Sequence, residues 1–321
     1  LATAPLRGPG LAVLHQIADV VLDPWVDHRP LRILDAAALA ARVDETGADI
    51  LIVEADQVAG PVLERPLVAV AATRGDPTNV DLAAATAAGV PVLRAPGRNA
   101  DGVAELTVGL LLAATRGIAV ADADVRAGRV FRDGTIPYQR FRAWEVAGRT
   151  AGLVGLGAVG RAVRWRLRGL GMEVVAADPY APDATCDLDR LLSVADVVSM
   201  HAPVTADTHH MIGAAQFGAM REGAVYLNTA RAQLHDTDAL VDALASGHLA
   251  ACGLDHLEGE QLPAGHPLLS MPNVVLTPHI GGATYDTETH HTTIVADGLC
   301  RLLAGVVPDV CVNPEVLAAP S

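Results

Sequence analysis

Short apolar runs alternate along this chain with longer stretches in which apolar positions recur at helical spacing. The runs at residues 11–14, 50–53 and 67–71 predict strands in the first third. Those at 151–154, 174–177, 197–200, 225–228, 250–254 and 274–276 predict strands in the rest. Most are continuously apolar, not alternating, so they suit strands covered on both faces. Strands that alternate with helices build parallel sheets from βαβ units, and an α/β fold follows. A long apolar helix is expected over 101–116, capped by Asn99 or Asp101 and stopped by Gly117. Residues 130–146, rich in Arg, Gly, Pro and aromatics, read as a long connection. Helical spacing returns over 284–304, with Gly305 as its stop. The expected layout is discontinuous: 1–98 with 285–321 as one domain, 99–284 as the other.

The strongest local motif follows the run at 151–154, where Gly155, Gly157 and Gly160 make G-x-G-x-x-G. The first glycine permits the tight turn, the second lets a pyrophosphate approach the backbone, and the third lets helix pack on strand. The helix beginning around Ala158 and Val159 would aim its N–H groups at the anion. Glycine-rich turns are common, so the context decides. Here a strand precedes the motif, an amphipathic stretch follows over 161–170, and the next strand ends in Asp178. A carboxylate there accepts from both adenosine ribose hydroxyls and repels a 2′-phosphate, which favours NAD over NADP. The motif and the strand pattern together predict two Rossmann-like, doubly wound parallel-sheet domains.

Composition narrows the function. The chain has 321 residues, is 51% apolar and has a net charge of −14. Acidic residues are dispersed, so nucleic acid is not an expected partner. Lysine is absent from the sequence, which excludes Schiff-base chemistry by this chain. Cys186, Cys252, Cys300 and Cys311 form no C-x-x-C pair and read as reduced thiols. No apolar run reaches the ~18 residues of a membrane span. The first ten residues do not read as a secretion signal. A cytoplasmic location is expected, and no residue is assigned to a metal.

Polar residues gather after three of the later strands: Asn228 to Arg231, Asp255 to Glu260, and Thr277 to Gly282. Ligands of open α/β sheets bind at such strand ends. Together with Val80-Asp81, Ala84 to Thr86, Gly89-Val90, Asn99 to Leu112, Gly152 to Gly160 and His201 to Thr205, these segments resemble the D-isomer-specific 2-hydroxyacid dehydrogenase family over nearly the whole chain. The resemblance implies hydride transfer between NAD(H) and a small 2-hydroxy or 2-oxo acid. It implies that Arg231 binds the substrate carboxylate, that His279 is the general acid/base and that Glu260 orients its imidazole. It places Asp255 at the nicotinamide carboxamide, with Thr229, Ala230 and Gly281 nearby. His201, Pro203 and Thr208 match the loop near adenine and pyrophosphate. It also implies a homodimer through the 101–116 helix and the following loop, and no regulatory domain is expected after the last helix.

Several positions depart from the family pattern. Ala232 replaces a glycine, His235 is an added titratable group, His256 stands where an apolar residue is usual and Gln261 where proline follows. His235 and His256 are expected to be structural or exposed; lining the cleft, they would favour a more anionic substrate. The loop 72–81 resembles the carboxylate-binding loop, with Gly75 flanked by Arg74 and Asp76. Arg74 either holds a second acidic group or a phosphate, or pairs with Asp76. The alternatives to a 2-hydroxyacid dehydrogenase are an NAD(H)-sensing, corepressor-like protein and a phosphite-type dehydrogenase with Arg74 in place of a lysine. Glu260 counts against a formate enzyme, whose family position carries glutamine.

Overall fold

A computed structural model describes residues 1–317. The chain divides into two compact units, residues 1–99 with the segment from Thr284 onward, and Ala100–Ala283.

The first unit carries a three-stranded parallel sheet, β1 (Ile50–Val53), β2 (Ala69–Ala72) and β3 (Val92–Leu93), in that order. Helices α1 (Pro9–Ile17), α2 (Ala36–Thr46) and α3 (Leu82–Ala87) pack with it, as does the long helix Tyr285–Leu303. Local chemistry sets the helix ends. Asp35 and Asp81 cap α2 and α3, and the Thr284 hydroxyl accepts the Thr287 N–H at the start of the long helix. Gly47 closes α2 in the left-handed conformation. The strand expected at 11–14 is instead the middle of α1. Only Gly10 and Leu14 of this helix are buried, four residues apart, which is a helical face. Pro9 sits in its first turn, and a Cβ on Gly10 would come within 2.7 Å of the Thr292 backbone. Four apolar residues in a row do not separate the two structures; helix-on-helix approach decides it.

The second unit is built from α4 (Ala100–Arg116), α5 (Ile118–Arg126), α6 (Pro137–Arg140), β4 (Thr150–Val154), α7 (Ala158–Gly169), β5 (Glu173–Ala177), α8 (Leu188–Val194), β6 (Val197–Met200), α9 (Ala214–Ala219), β7 (Ala224–Asn228), α10 (Thr237–Ala245), β8 (Leu249–Leu254) and β9 (Val274–Leu276). The helix Tyr285–Leu303 of the first unit is then α11. The six strands pair in parallel in the order β5-β4-β6-β7-β8-β9. The chain leaves β4 to one side for β5 and returns to its other side for β6, so the switch point lies at β4 and β6. Both faces are covered, as continuous apolar strands require. Leu153, Val225 and Leu227 pack in the cluster with Leu110, Leu111 and Leu167, and Val154, Val198 and Tyr226 in the cluster with Leu191, Phe217 and Leu240. Each fully buried leucine contributes about 1.5–3 kcal/mol relative to exposure. Among the described residues, no single helix is long and apolar enough to cross a membrane.

Candidate active site

Strands β7, β8 and β9 are parallel neighbours, so the polar segments that follow them emerge at one edge of the second unit's sheet. After β7, the buried Asn228 organises the turn. Its Oδ1 accepts the N–H groups of Ala230 and Arg231 at 3.0 and 3.2 Å. Its Nδ2 donates to the Arg231 carbonyl at 2.8 Å and to Nδ1 of His235 at 2.9 Å. His235 must be neutral to accept there, and burial, helped by His210, lowers its pKa to about 4. The Arg231 guanidinium donates to the Ala230 carbonyl at 2.6 Å and stands 3.5 Å from Nε2 of His256.

After β8 comes Asp255, only 1% exposed. Its carboxylate accepts from the Thr277 hydroxyl at 2.6 Å, the Ile280 N–H at 2.9 Å and the Gly281 N–H at 2.8 Å. It therefore anchors the whole segment after β9. That segment holds His279 at φ +55°, a conformation costly for a residue with a side chain. Glu260, at φ +61°, meets it: Nδ1 of His279 lies 3.0 Å from Oε1 of Glu260. The two groups that touch are both held off ordinary backbone geometry, and the Asp255 hydrogen bonds are what sustain the His279 side.

His256 completes the cluster. Its ring centroid is 3.8 Å from that of His279, with the planes inclined by 51°. Of the two alternatives expected for it, structural or exposed, the exposed one is excluded: His256 is buried, beside the His279 ring and near the Arg231 guanidinium. Burial first, then the charges of His279 and Arg231, lowers its pKa to about 3. It is thus neutral and adds no positive charge for a substrate, so the more anionic substrate considered for a cleft-lining histidine gets no support from it. The departure at residue 256 was visible in the sequence; its contact was not, because the two rings meet across the ends of two different strands, β8 and β9.

The glycine motif follows β4. Gly155 sits at φ +99°, and a Cβ there would come within 2.7 Å of the Ala202 nitrogen and the His201 carbonyl carbon. A Cβ on Gly160 would collide with the Gly155 carbonyl, whereas one on Gly157 would meet open space. α7 starts at Ala158 and Val159 with no side-chain cap and no acidic residue in its first turn. Its N–H groups are left to an anion. Asp178, at the end of β5, accepts the Leu156 N–H at 2.7 Å and the Tyr180 N–H at 2.9 Å, and each oxygen keeps a further lone pair. His201 backs the turn: its Nε2 is 2.9 Å from the Ser199 hydroxyl, while its buried Nδ1 has no hydrogen-bond partner. Burial lowers its pKa to about 4. The Thr208 hydroxyl donates to the Pro203 carbonyl at 2.7 Å and closes that loop. An uncapped helix start, a sterically required glycine turn and an orphaned ring nitrogen fit a dinucleotide.

Other candidates are placed differently. The Thr229 hydroxyl is buried against that of Thr107 at 2.8 Å. The Ala230 N–H and carbonyl are already engaged, by Asn228 and Arg231. A Cβ on Gly281 would crowd Oδ2 of Asp255 at 3.0 Å, which gives this glycine a packing reason of its own. Arg74 and Gly75 lie in the first unit after β2, where the Arg74 carbonyl accepts the Ala95 N–H at 2.8 Å. Among the described residues Arg74 makes no ion pair with Asp76.

Residues 108–281 match the model of the D-isomer specific 2-hydroxyacid dehydrogenase, NAD binding domain. The chain is 36% identical over 320 residues to a glyoxylate reductase of Thermofilum pendens, covering 96% of this chain and 92% of that one. It is 34% identical over 324 residues to a D-3-phosphoglycerate dehydrogenase of Methanocaldococcus jannaschii, covering 98% of this chain and 59% of that relative's length. The crystal structure of the TT0316 protein from Thermus thermophilus superposes with a TM-score of 0.81 at 36% identity, covering 97% of this chain and 98% of that one.

Proposed function

The chain belongs to the D-isomer specific 2-hydroxyacid dehydrogenase family, with NAD as cofactor, and from that premise we propose that it interconverts a small 2-oxo acid and its 2-hydroxy acid through Arg231, His279 and Glu260. The observation that carries the reading is the 3.0 Å contact between Nδ1 of His279 and Glu260, beside the Arg231 guanidinium and in the same unit as the glycine turn. Bound NADH supplies the hydride that arrives at C2 of the acid.

Arg231 presents a planar fork of donors to the substrate carboxylate and fixes the orientation of the carbon that reacts. Glu260 accepts the Nδ1 proton of His279 and so leaves Nε2 as the proton-transfer atom. In reduction, Nε2–H gives its proton to the 2-oxygen; in oxidation, neutral Nε2 takes it back. Neutral His256 packs against the His279 ring without adding a competing charge. Asp178 accepts from the adenosine ribose and disfavours a 2′-phosphate. Arg74 and Gly75 are assigned to substrate recognition, and Arg74→Ala should raise KM most for acids with a second anionic group.

The reading includes a cytoplasmic homodimer. The dimer part of that reading is supported by the large side chains exposed between residues 118 and 144, with Phe131, Tyr138 and Trp144 at 75%, 77% and 79% exposure.

The test is oxidation of NADH and NADPH in parallel against a panel of 2-oxo acids, with Arg231→Ala and His279→Ala as controls. NADH-selective turnover lost in both variants is the expected result. Tight NADH binding with no turnover on any acid would move the reading to a sensing protein.

A further inference from the structure

One donor atom each from His256, Glu260 and His279 lies within 4.8 Å of the others. Hydride transfer to a 2-oxo acid needs only one of these imidazoles for its proton. The second, His256, is placed by the fold with its ring 3.8 Å from the first. Two histidines and one carboxylate are a complete protein donor set for zinc that leaves a fourth position open. Metal–ligand bonds of ~2.0–2.2 Å bring tetrahedral donors to about 3.5 Å of one another, so atoms that lie within 4.8 Å have at most about 1.3 Å to close. The side chains best able to move are the exposed ones: those of Glu260 and His279 are 61% and 45% exposed, against a buried His256. Two mobile ligands closing on one fixed ligand require no change of backbone.

We propose that His256, Glu260 and His279 form a binding site for a first-row divalent cation, Zn²⁺ foremost, and that occupancy switches the dehydrogenase off. The binding half stands by itself; the inhibitory half rests on the proposed function. An ion coordinated by His279 takes the ring out of proton transfer, and one held by Glu260 also removes the group that fixes the tautomer. Charge sets the affinity. Glu260 favours the cation, while the Arg231 guanidinium, 3.5 Å from Nε2 of His256, opposes it. A carboxylate on Arg231 would screen that repulsion, so the open fourth position would accept the 2-oxygen of the acid as a single, unreactive ligand.

The experiment uses the full chain and Co²⁺ as a spectroscopic stand-in for Zn²⁺, without substrate. The expected result is one equivalent of Co²⁺ giving the visible ligand-field band of a four-coordinate ion, displaced by Zn²⁺. The band should be lost in His256→Phe and in Glu260→Gln. The second variant alters an exposed side chain and so guards against loss of fold. No band, or a band retained in Glu260→Gln, overturns the site. In parallel, NADH oxidation by the wild type should fall at least tenfold with micromolar Zn²⁺ and recover with a chelator. A Co²⁺ band that is displaced by Zn²⁺ while turnover is unchanged would overturn the switch and leave the dehydrogenase reading untouched.

Discussion

Asp255→Asn tests whether the backbone at His279 is held or merely found in its strained form. The native carboxylate accepts three hydrogen bonds, from Thr277, Ile280 and Gly281, in a position 1% exposed. Asparagine keeps one accepting oxygen and turns an NH₂ toward a donor. At least one bond to a charged acceptor is lost and one donor is left facing another, about 2–4 kcal/mol in a buried site. The strain at His279, with φ at +55°, is about 1–3 kcal/mol, the same size as the lost restraint. The segment should therefore relax before the domain unfolds. If productive His279 geometry becomes uphill by 2–4 kcal/mol, kcat falls about 30- to 1,000-fold. The assay is steady-state NADH oxidation with the best 2-oxo acid, alongside amide hydrogen exchange at Ile280 and Gly281. Faster exchange with lower kcat and a near-native Tm is the expected pattern. Retained exchange protection with kcat within twofold of wild type would refute the argument.

Gly160→Ala should weaken NADH binding at least a hundredfold by calorimetry, because its Cβ collides with the Gly155 carbonyl, whereas Gly157→Ala meets open space and should fold normally. Asp178→Ser should narrow the preference for NADH over NADPH in kcat/KM, since the repelling carboxylate is gone. Acid should destabilise the second unit through its buried neutral histidines. His235 and His256 have folded pKa values of about 4 and about 3, below the unfolded 6.5, so the unfolded chain binds protons that the fold refuses. Their contribution is intact above about pH 6.5 and is lost as pH falls toward those values, at up to about 1.4 kcal/mol per pH unit for each. Denaturant melts between pH 7 and 4.5 should show this slope reduced in His256→Phe. Light scattering at micromolar concentration should give a dimer, weakened by Trp144→Asp.

The sheet and its ligand-bearing edge were legible because their causes are local. Strands such as β6 and β7 are buried at every position because both faces are covered, and their mostly apolar sequence shows that directly. The glycine turn was legible as a motif: Gly160 answers to the Gly155 carbonyl a few residues back, while Gly155 answers to the backbone that follows β6, the sheet neighbour of β4. α1 was misread because four apolar residues carry no period, and the burial of Gly10 against the Thr292 backbone depends on a helix some 280 positions away. The pairing of His279 with Glu260 was legible only through resemblance; spacing alone does not reveal that two segments after β8 and β9 turn toward each other.

His256 shows where such reading stops, and it is also the residue with the largest consequence. A histidine at a strand end is ordinarily counted as a charge near pH 6, and on that basis it would have enlarged the site's affinity for anions. Enclosure reverses the argument. With 4% exposure and the His279 ring 3.8 Å away, a proton on His256 would be both desolvated and beside a group that must itself take a proton. The ring is neutral instead, and a neutral ring keeps a lone pair. Nε2 of the ring stands 3.5 Å from Arg231, and one ring nitrogen lies within reach of the same ion as Glu260 and His279. A histidine that looks like added positive charge is therefore a candidate ligand, and the difference follows from its burial and from the groups packed against it.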